Sequence, residues 1–133
     1  MDTTPTTPNG KKVLIIEDEQ FISELYIRAL TKAGYEVKVI VDGEQALTEA
    51  QTNNYDVILL DIMLPNLTGN EILRRLRNTE ETPALKAKII ITTNLEMSEE
   101  DRAAIESHAD GYIVKAEVTP KEMVTFLNQL QLN

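Results

Sequence analysis

This sequence predicts a three-layer α/β/α domain, with a five-stranded parallel sheet covered by helices on both faces. Two observations carry the prediction: five short apolar runs rich in Val and Ile, and segments of helical period between them. A third is the set of helix-start signals found where those segments begin.

The apolar runs cover residues 12–16, 35–41, 56–60, 88–92 and 111–114. Runs this short and this β-branched read as buried strands rather than helices. After the first run, Phe21, Ile22, Leu25, Tyr26, Ala29, Leu30 and Ala33 repeat at i, i+3, i+4, so the spacing predicts one buried helical stripe. Gly34 stands where that helix should stop. Ala46, Leu47 and Ala50 form the second stripe, Ile72, Leu73 and Leu76 the third, and Met123, Val124, Leu127 and Leu130 the last. Asp42 with Gln45, Thr68 with Glu71, and Thr119 with Glu122 have capping-box spacing, and Pro120 falls in the first turn of its helix. Ser98 with Asp101 is a weaker start signal for a fourth helix over residues 98–107, whose apolar stripe is the poorest. Strict β-α alternation with right-handed crossovers leaves few topologies.

The 133 residues suffice for one domain with a proper core. Residues 1–10, rich in Thr and Pro, read as a disordered tail, and residues 11–133 as the domain. With no cysteine there are no disulfides, thiolate metal sites or cysteine nucleophiles. A net charge of −9 argues against a nucleic-acid or anionic-membrane surface, which needs clustered Lys and Arg. No apolar run approaches the roughly 20 residues of a bilayer span. A cytoplasmic setting is expected.

In open α/β sheets, ligands bind beyond the carboxyl ends of the strands. Glu17, Asp18 and Glu19 follow the first strand, and Asp61 follows the third. Thr92, Thr93 and Asn94 follow the fourth, and Lys115 the fifth. Taken singly, each has a plain reading: Glu19 as a helix cap, Asp61 as a turn former, the threonines as strand residues, Lys115 as a solvated charge. Taken together they do not, because nothing structural requires like charges to gather on one edge. Such carboxylates repel unless a cation joins them. Mg²⁺, with its preference for carboxylate, water and phosphate oxygens, resolves the conflict. A carboxylate in such a site can attack phosphorus, while the metal and an ammonium offset charge on the transferring group.

From about residue 12 to residue 130 the chain resembles the receiver domains of two-component response regulators. Val13-Leu14-Ile15-Ile16-Glu17-Asp18-Glu19 is similar to the family's first strand and acidic pair. Residues 56–65, with Gly69 beyond, are similar to its phosphoacceptor segment, and Gly111-Tyr112-Ile113-Val114-Lys115 to its last strand and lysine. The resemblance implies a flavodoxin-like strand order 2-1-3-4-5. It implies Asp61 as phosphoacceptor, with Mg²⁺ held by Asp18, Asp61 and the Met63 backbone carbonyl, and by Glu17 directly or through water. Lys115 would pair with Asp61 and later with a phosphoryl oxygen. The switch hydroxyl would be Thr93, which stands 22 positions before Lys115, with Thr92 the close runner-up. Tyr112 occupies the place of the switch aromatic.

The resemblance also implies a regulatory domain rather than an enzyme, catalysing only its own phosphorylation and dephosphorylation. Its donor would be a sensor histidine kinase or phosphotransfer protein. Its output would be a downstream protein target reached by contact, with no direct nucleic acid or membrane. A homodimer through the fourth helix, fifth strand and fifth helix is a further family expectation. Three departures stand out. Ala116 replaces the usual proline after the lysine; a cis bond there would cost about 2.5–4 kcal/mol, which favours trans. Asn94 is larger than the residue common after the switch hydroxyl and is expected to narrow donor access. His108 takes the place of a frequent glycine and reads as a surface residue at a helix end. The rival readings are a degenerate receiver acting as a phosphorylation-independent scaffold, a flavodoxin-type FMN carrier and an aspartate-nucleophile phosphatase. Three acidic residues after the first strand would repel the FMN phosphate. The phosphatase needs an Asp-x-Asp pattern there, which Glu17-Asp18-Glu19 does not supply.

Overall fold

The structure, a computed structural model, describes residues 9–94 and 98–130, without the side chains of residues 101 and 104. Most of the expected tail, residues 1–8, and the Asp101 half of the fourth start signal lie outside the described residues. The elements run β1 (Lys12–Ile16), α1 (Gln20–Lys32), β2 (Glu36–Ile40), α2 (Gly43–Ala50), β3 (Val57–Asp61), α3 (Gly69–Arg77), β4 (Lys88–Thr93), α4 (Glu99–His108), β5 (Gly111–Val114) and α5 (Pro120–Asn128). A short 3-10 turn, Lys115–Glu117, joins β5 to α5. All strand pairs are parallel, in the order β2-β1-β3-β4-β5.

Alternation along the strands splits the core in two. Leu14, Ile16, Ile58, Leu60, Ile89 and Ile91 face the stripes of α2, α3 and α4. Val13, Ile15, Val57, Leu59, Ile90 and Ile113 face α1 and α5. Burial on both faces is why β1, β3 and β4 read as continuous apolar runs.

The helix ends follow local chemistry. Asp42 and Thr68 accept from the amides of Gln45 and Glu71, and Thr119 with Glu122 completes a reciprocal capping box. Helix α1 stops in a Schellman turn. Gly34 takes φ +101°, its amide donates to Thr31 O, and the Tyr35 amide donates to Leu30 O. At the C-terminal end of α4, Arg77 Nε donates to the carbonyl of His108 at 2.7 Å, and Arg77 Nη2 to Asp110 Oδ2 at 3.0 Å. Asp110 in turn accepts from the Ile89 amide. His108 itself is exposed.

Three expectations are corrected. Phe21 is 72% exposed rather than part of the buried stripe, because the buried face of α1 runs through Ile22, Ser23, Tyr26 and Leu30 and Phe21 turns away from it. The third strand runs one residue later than expected and takes in Asp61. Asp56 instead precedes it, accepting from the Lys12 amide at 2.8 Å. The second strand is shorter than expected at both ends, leaving Val41 54% exposed. Among the described residues no helix is long and apolar enough to cross a membrane.

Gly69 controls how closely α3 approaches the end of β3. Its amide donates to Ile62 O, and a Cβ there would collide with the carbonyl of Asp61 and the Cα of Ile62. Gly69→Ala is expected to lower the unfolding free energy by about 1–3 kcal/mol. Urea titration checks this, and an unchanged midpoint would mean that the junction yields freely.

Candidate functional site at the carboxyl ends of the strands

Strand register assembles the site. Ile16 pairs with Leu60, so Glu17 comes level with Asp61, and Asp61 pairs directly with Thr92. Thr93 pairs with Val114, one residue before Lys115. The period of two puts Glu17 on the face of Val13 and Ile15, Asp61 on that of Val57 and Leu59, and Lys115 on that of Ile113. Three charged side chains are therefore aimed at one place by the same alternation that builds the α1/α5 core.

Lys115 Nζ lies 2.5 Å from Glu17 Oε1 and 3.3 Å from Asp61 Oδ2, with all three side chains no more than 3% exposed. Neither contact has hydrogen-bond geometry, so Lys115 Nζ and Glu17 Oε1 are buried without a hydrogen bond. Burial alone would lower the Lys115 pKa, but the Glu17 and Asp61 carboxylates outweigh it and raise it. The Asp61 carboxyl is pushed up to about 6, by burial first and then by Glu17, against the Met63 amide and Lys115, which favour its charged form. The Met63 N–H donates to Asp61 Oδ1 at 3.0 Å, while the Met63 side chain is 72% exposed.

Carboxylate oxygens of Glu17, Glu19 and Asp61 lie within 4.8 Å of one another, close enough for one metal ion. Asp18 is exposed and lies beside Asp61, outside that closest group; burial and the neighbouring Asp61 charge raise its pKa. The hard oxygen donors of this group fit a divalent cation of the Mg²⁺ type. Thr92 and Thr93 are both buried. Thr92 shares the face of Ile90, on which Asp61 also lies, and Thr93 ends the strand on the opposite face. Tyr112 is half-buried on β5, with the Arg102 guanidinium 5.5 Å from its ring centre. The Lys115–Ala116 bond is trans.

Glu19 and Tyr26 were not assigned to the site by sequence reasoning, and Asn94 was expected there only as an obstacle to the donor. Glu19 occupies the N-cap position of α1 but makes no side-chain cap bond. Its amide instead donates to Glu17 Oε2, and its carboxylate accepts from Asn94 Nδ2 at 2.9 Å. The reading of Glu19 as a cap is thus corrected: the carboxylate turns to the rim. Asn94 carries that contact. Tyr26, read only as core, has its phenol pKa raised by burial first, with Glu17, Asp61 and Glu19 adding and Lys115 opposing. Helical spacing could have found Tyr26, since it falls on the stripe that packs under β1.

Comparison with known proteins places this geometry. The family model of the response regulator receiver domain matches residues 13–128. The response regulator ArlR of Staphylococcus saprophyticus is 41% identical over 104 residues, which are 78% of this chain and 45% of that protein. The regulatory protein VanRB of Enterococcus faecalis is 36% identical over the same shares. The chain therefore spans less than half the length of these curated relatives. Among solved structures, the chemotaxis protein CheY4 of Vibrio cholerae superposes with a TM-score of 0.77 at 30% identity, covering 91% of this chain and 98% of that one. The Francisella response regulator 1452 receiver domain gives 0.76 at 30% identity, over 89% and 93%. A family match running from β1 into α5, together with the strand order and the charged rim, makes this chain a member of the response regulator receiver domains.

Proposed function

We propose that this receiver domain is a phosphorylation switch in a two-component pathway, with Asp61 as its phosphoacceptor. The observation that carries the reading is the buried Lys115 ammonium beside Glu17 and Asp61, with hydrogen-bonding capacity left over. A carboxylate nucleophile next to a fixed positive charge supplies most of what phosphoryl transfer asks of a protein. An oxygen of Asp61 attacks the phosphorus of a phosphoryl donor. The bond from phosphorus to the leaving group breaks, its electrons depart with that group, and an acyl phosphate remains.

Asp18, Asp61 and the Met63 carbonyl would hold Mg²⁺, with Glu17 acting directly or through water. When bound, the cation would offset charge on the transferring phosphoryl group. Lys115 stays charged throughout, held by Glu17 while Asp61 changes. Thr93, at the end of β4, would donate its hydroxyl to the new phosphoryl oxygens, and Tyr112 would respond on the neighbouring strand. Charge-assisted bonds of about 1.5–3 kcal/mol each can bias two pre-existing arrangements. Phe21, Val41 and Met63, exposed on the same rim, favour a protein donor such as a histidine kinase or phosphotransfer protein over a small molecule alone. Transfer onward to a downstream protein partner and a cytoplasmic setting belong to the same reading.

Incubation with Mg²⁺ and acetyl phosphate, followed by intact mass, is expected to add one hydroxylamine-sensitive phosphoryl group to the wild type and none to Asp61→Asn. Chelation should abolish the addition, and Thr93→Ala and Thr92→Ala would tell the two hydroxyls apart by acyl-phosphate lifetime. Equal labelling of the Asn variant removes Asp61 from the role. No labelling of the wild type by acetyl phosphate or a phosphotransfer donor would favour the phosphorylation-independent scaffold.

A second expectation concerns stability. A carboxyl whose pKa is higher folded than unfolded takes up protons on folding, so stability falls as pH rises from about 4 to about 6. Without metal at neutral pH, Asp61→Asn should therefore stabilise the protein by on the order of 2 kcal/mol, or about 5–10 °C in Tm. The gain should shrink in mildly acidic buffer and on adding Mg²⁺ to both proteins. Thermal melts check it; a destabilised Asn variant would mean that the Lys115 pairing outweighs the burial of Asp61.

A further inference from the structure

Glu19 stands where a carboxylate would ordinarily turn back onto the first amides of its helix, yet it makes no such bond. Its side chain is 46% exposed and has several rotatable bonds, so solvent is open to it. The two carboxylates it faces, Glu17 and Asp61, repel it. Nevertheless one of its oxygens lies within 4.8 Å of oxygens on both. Two contacts hold it there: the Asn94 Nδ2 bond at 2.9 Å, and the Lys115 ammonium at 3.9 Å. Lys115 already lies closer to Glu17 and to Asp61. Asn94 is thus the hydrogen-bonding partner that specifically draws Glu19 inward.

Asn94 is also the residue immediately after β4, 75 positions from Glu19, so the bond ties the end of that strand to the β1–α1 turn. A neutral amide donor orients a carboxylate without cancelling its charge. One Glu19 oxygen remains available, and the full negative charge stays over the rim. The rim's capacity for a ligand is supported by Glu17 Oε1, on a side chain only 1% exposed, which has the Lys115 ion pair and no hydrogen bond.

We infer that Asn94 is a positioning residue for the cation site: its amide holds Glu19 over Glu17 and Asp61 as an additional carboxylate for the divalent ion, joining cation binding to the position of the end of β4. The inference depends on the reading above, that this rim takes such an ion. Linkage makes the coupling reciprocal, so whatever secures the end of β4 against Glu19 also strengthens cation binding.

The test is a double-mutant cycle read as Mg²⁺ affinity by calorimetry, with no phosphodonor present. It compares wild type, Asn94→Ala, Glu19→Ala and the double variant, with Asp61→Asn as reference and thermal melts to confirm folding. Asn94→Ala is expected to weaken Mg²⁺ binding by about 3–10-fold, below the 10–100-fold typical of buried partners of metal ligands, because this bond is exposed. In the Glu19→Ala background the same change should have no further effect. That separates an action through Glu19 from general support of the strand end, which would persist without it. An Asn94→Ala affinity equal to wild type overturns the inference, as does an equal loss in both backgrounds. If the wild type binds no Mg²⁺, or Asp61→Asn leaves affinity unchanged, the cation reading itself fails and takes this inference with it.

Discussion

One buried ammonium sets the terms for the whole rim. Lys115 gives up water to sit between Glu17 and Asp61, and each carboxylate is tolerable in that place because the ammonium is there. The compensation is incomplete: two acids share one base, and Asp61 is pushed toward its neutral form while Lys115 is held charged. A site balanced in this way is receptive to more positive charge, and to chemistry that changes the charge on Asp61.

The sheet makes that arrangement possible with little added machinery. Alternation that sends Val13 and Ile15 into the α1/α5 core carries Glu17 to the same side at the strand end, and β3 and β5 do likewise for Asp61 and Lys115. The apolar residues below fix the register, and the register fixes the charges. Gly69 completes the scaffold, since any side chain there would push α3 away from the carbonyl of Asp61.

Much of this was legible in the sequence, for identifiable reasons. The strands declared themselves because burial on both faces demands unbroken Val and Ile, and α2, α3 and α5 because their caps and stripes agree. Glu17, Asp61 and Lys115 stood out because their strands end together. What stayed hidden depended on geometry beyond local pattern. Apolar residues spread over more of α1 than its buried face covers, so Phe21 looked buried. Asp56 and Asp61 flank one apolar run, and composition alone does not say which of them lies within the strand. A carboxylate at an N-cap has the same sequence signature whether it caps or turns away, as Glu19 does. Its partner Asn94 is visible only once the chain has folded back.

The Arg77 contacts give α4 a mechanical character. Its rear end is moored, with the His108 carbonyl and Asp110 both gripped by a guanidinium from α3, and Asp110 bonded in turn to β4. Its front end follows the strand end that carries Thr93 and Asn94. Moving the rear end of α4 would mean breaking the guanidinium contacts on the His108 carbonyl and Asp110 together. Farther along the helix, the Arg102 guanidinium lies over the Tyr112 ring of β5 and ties α4 to that strand as well.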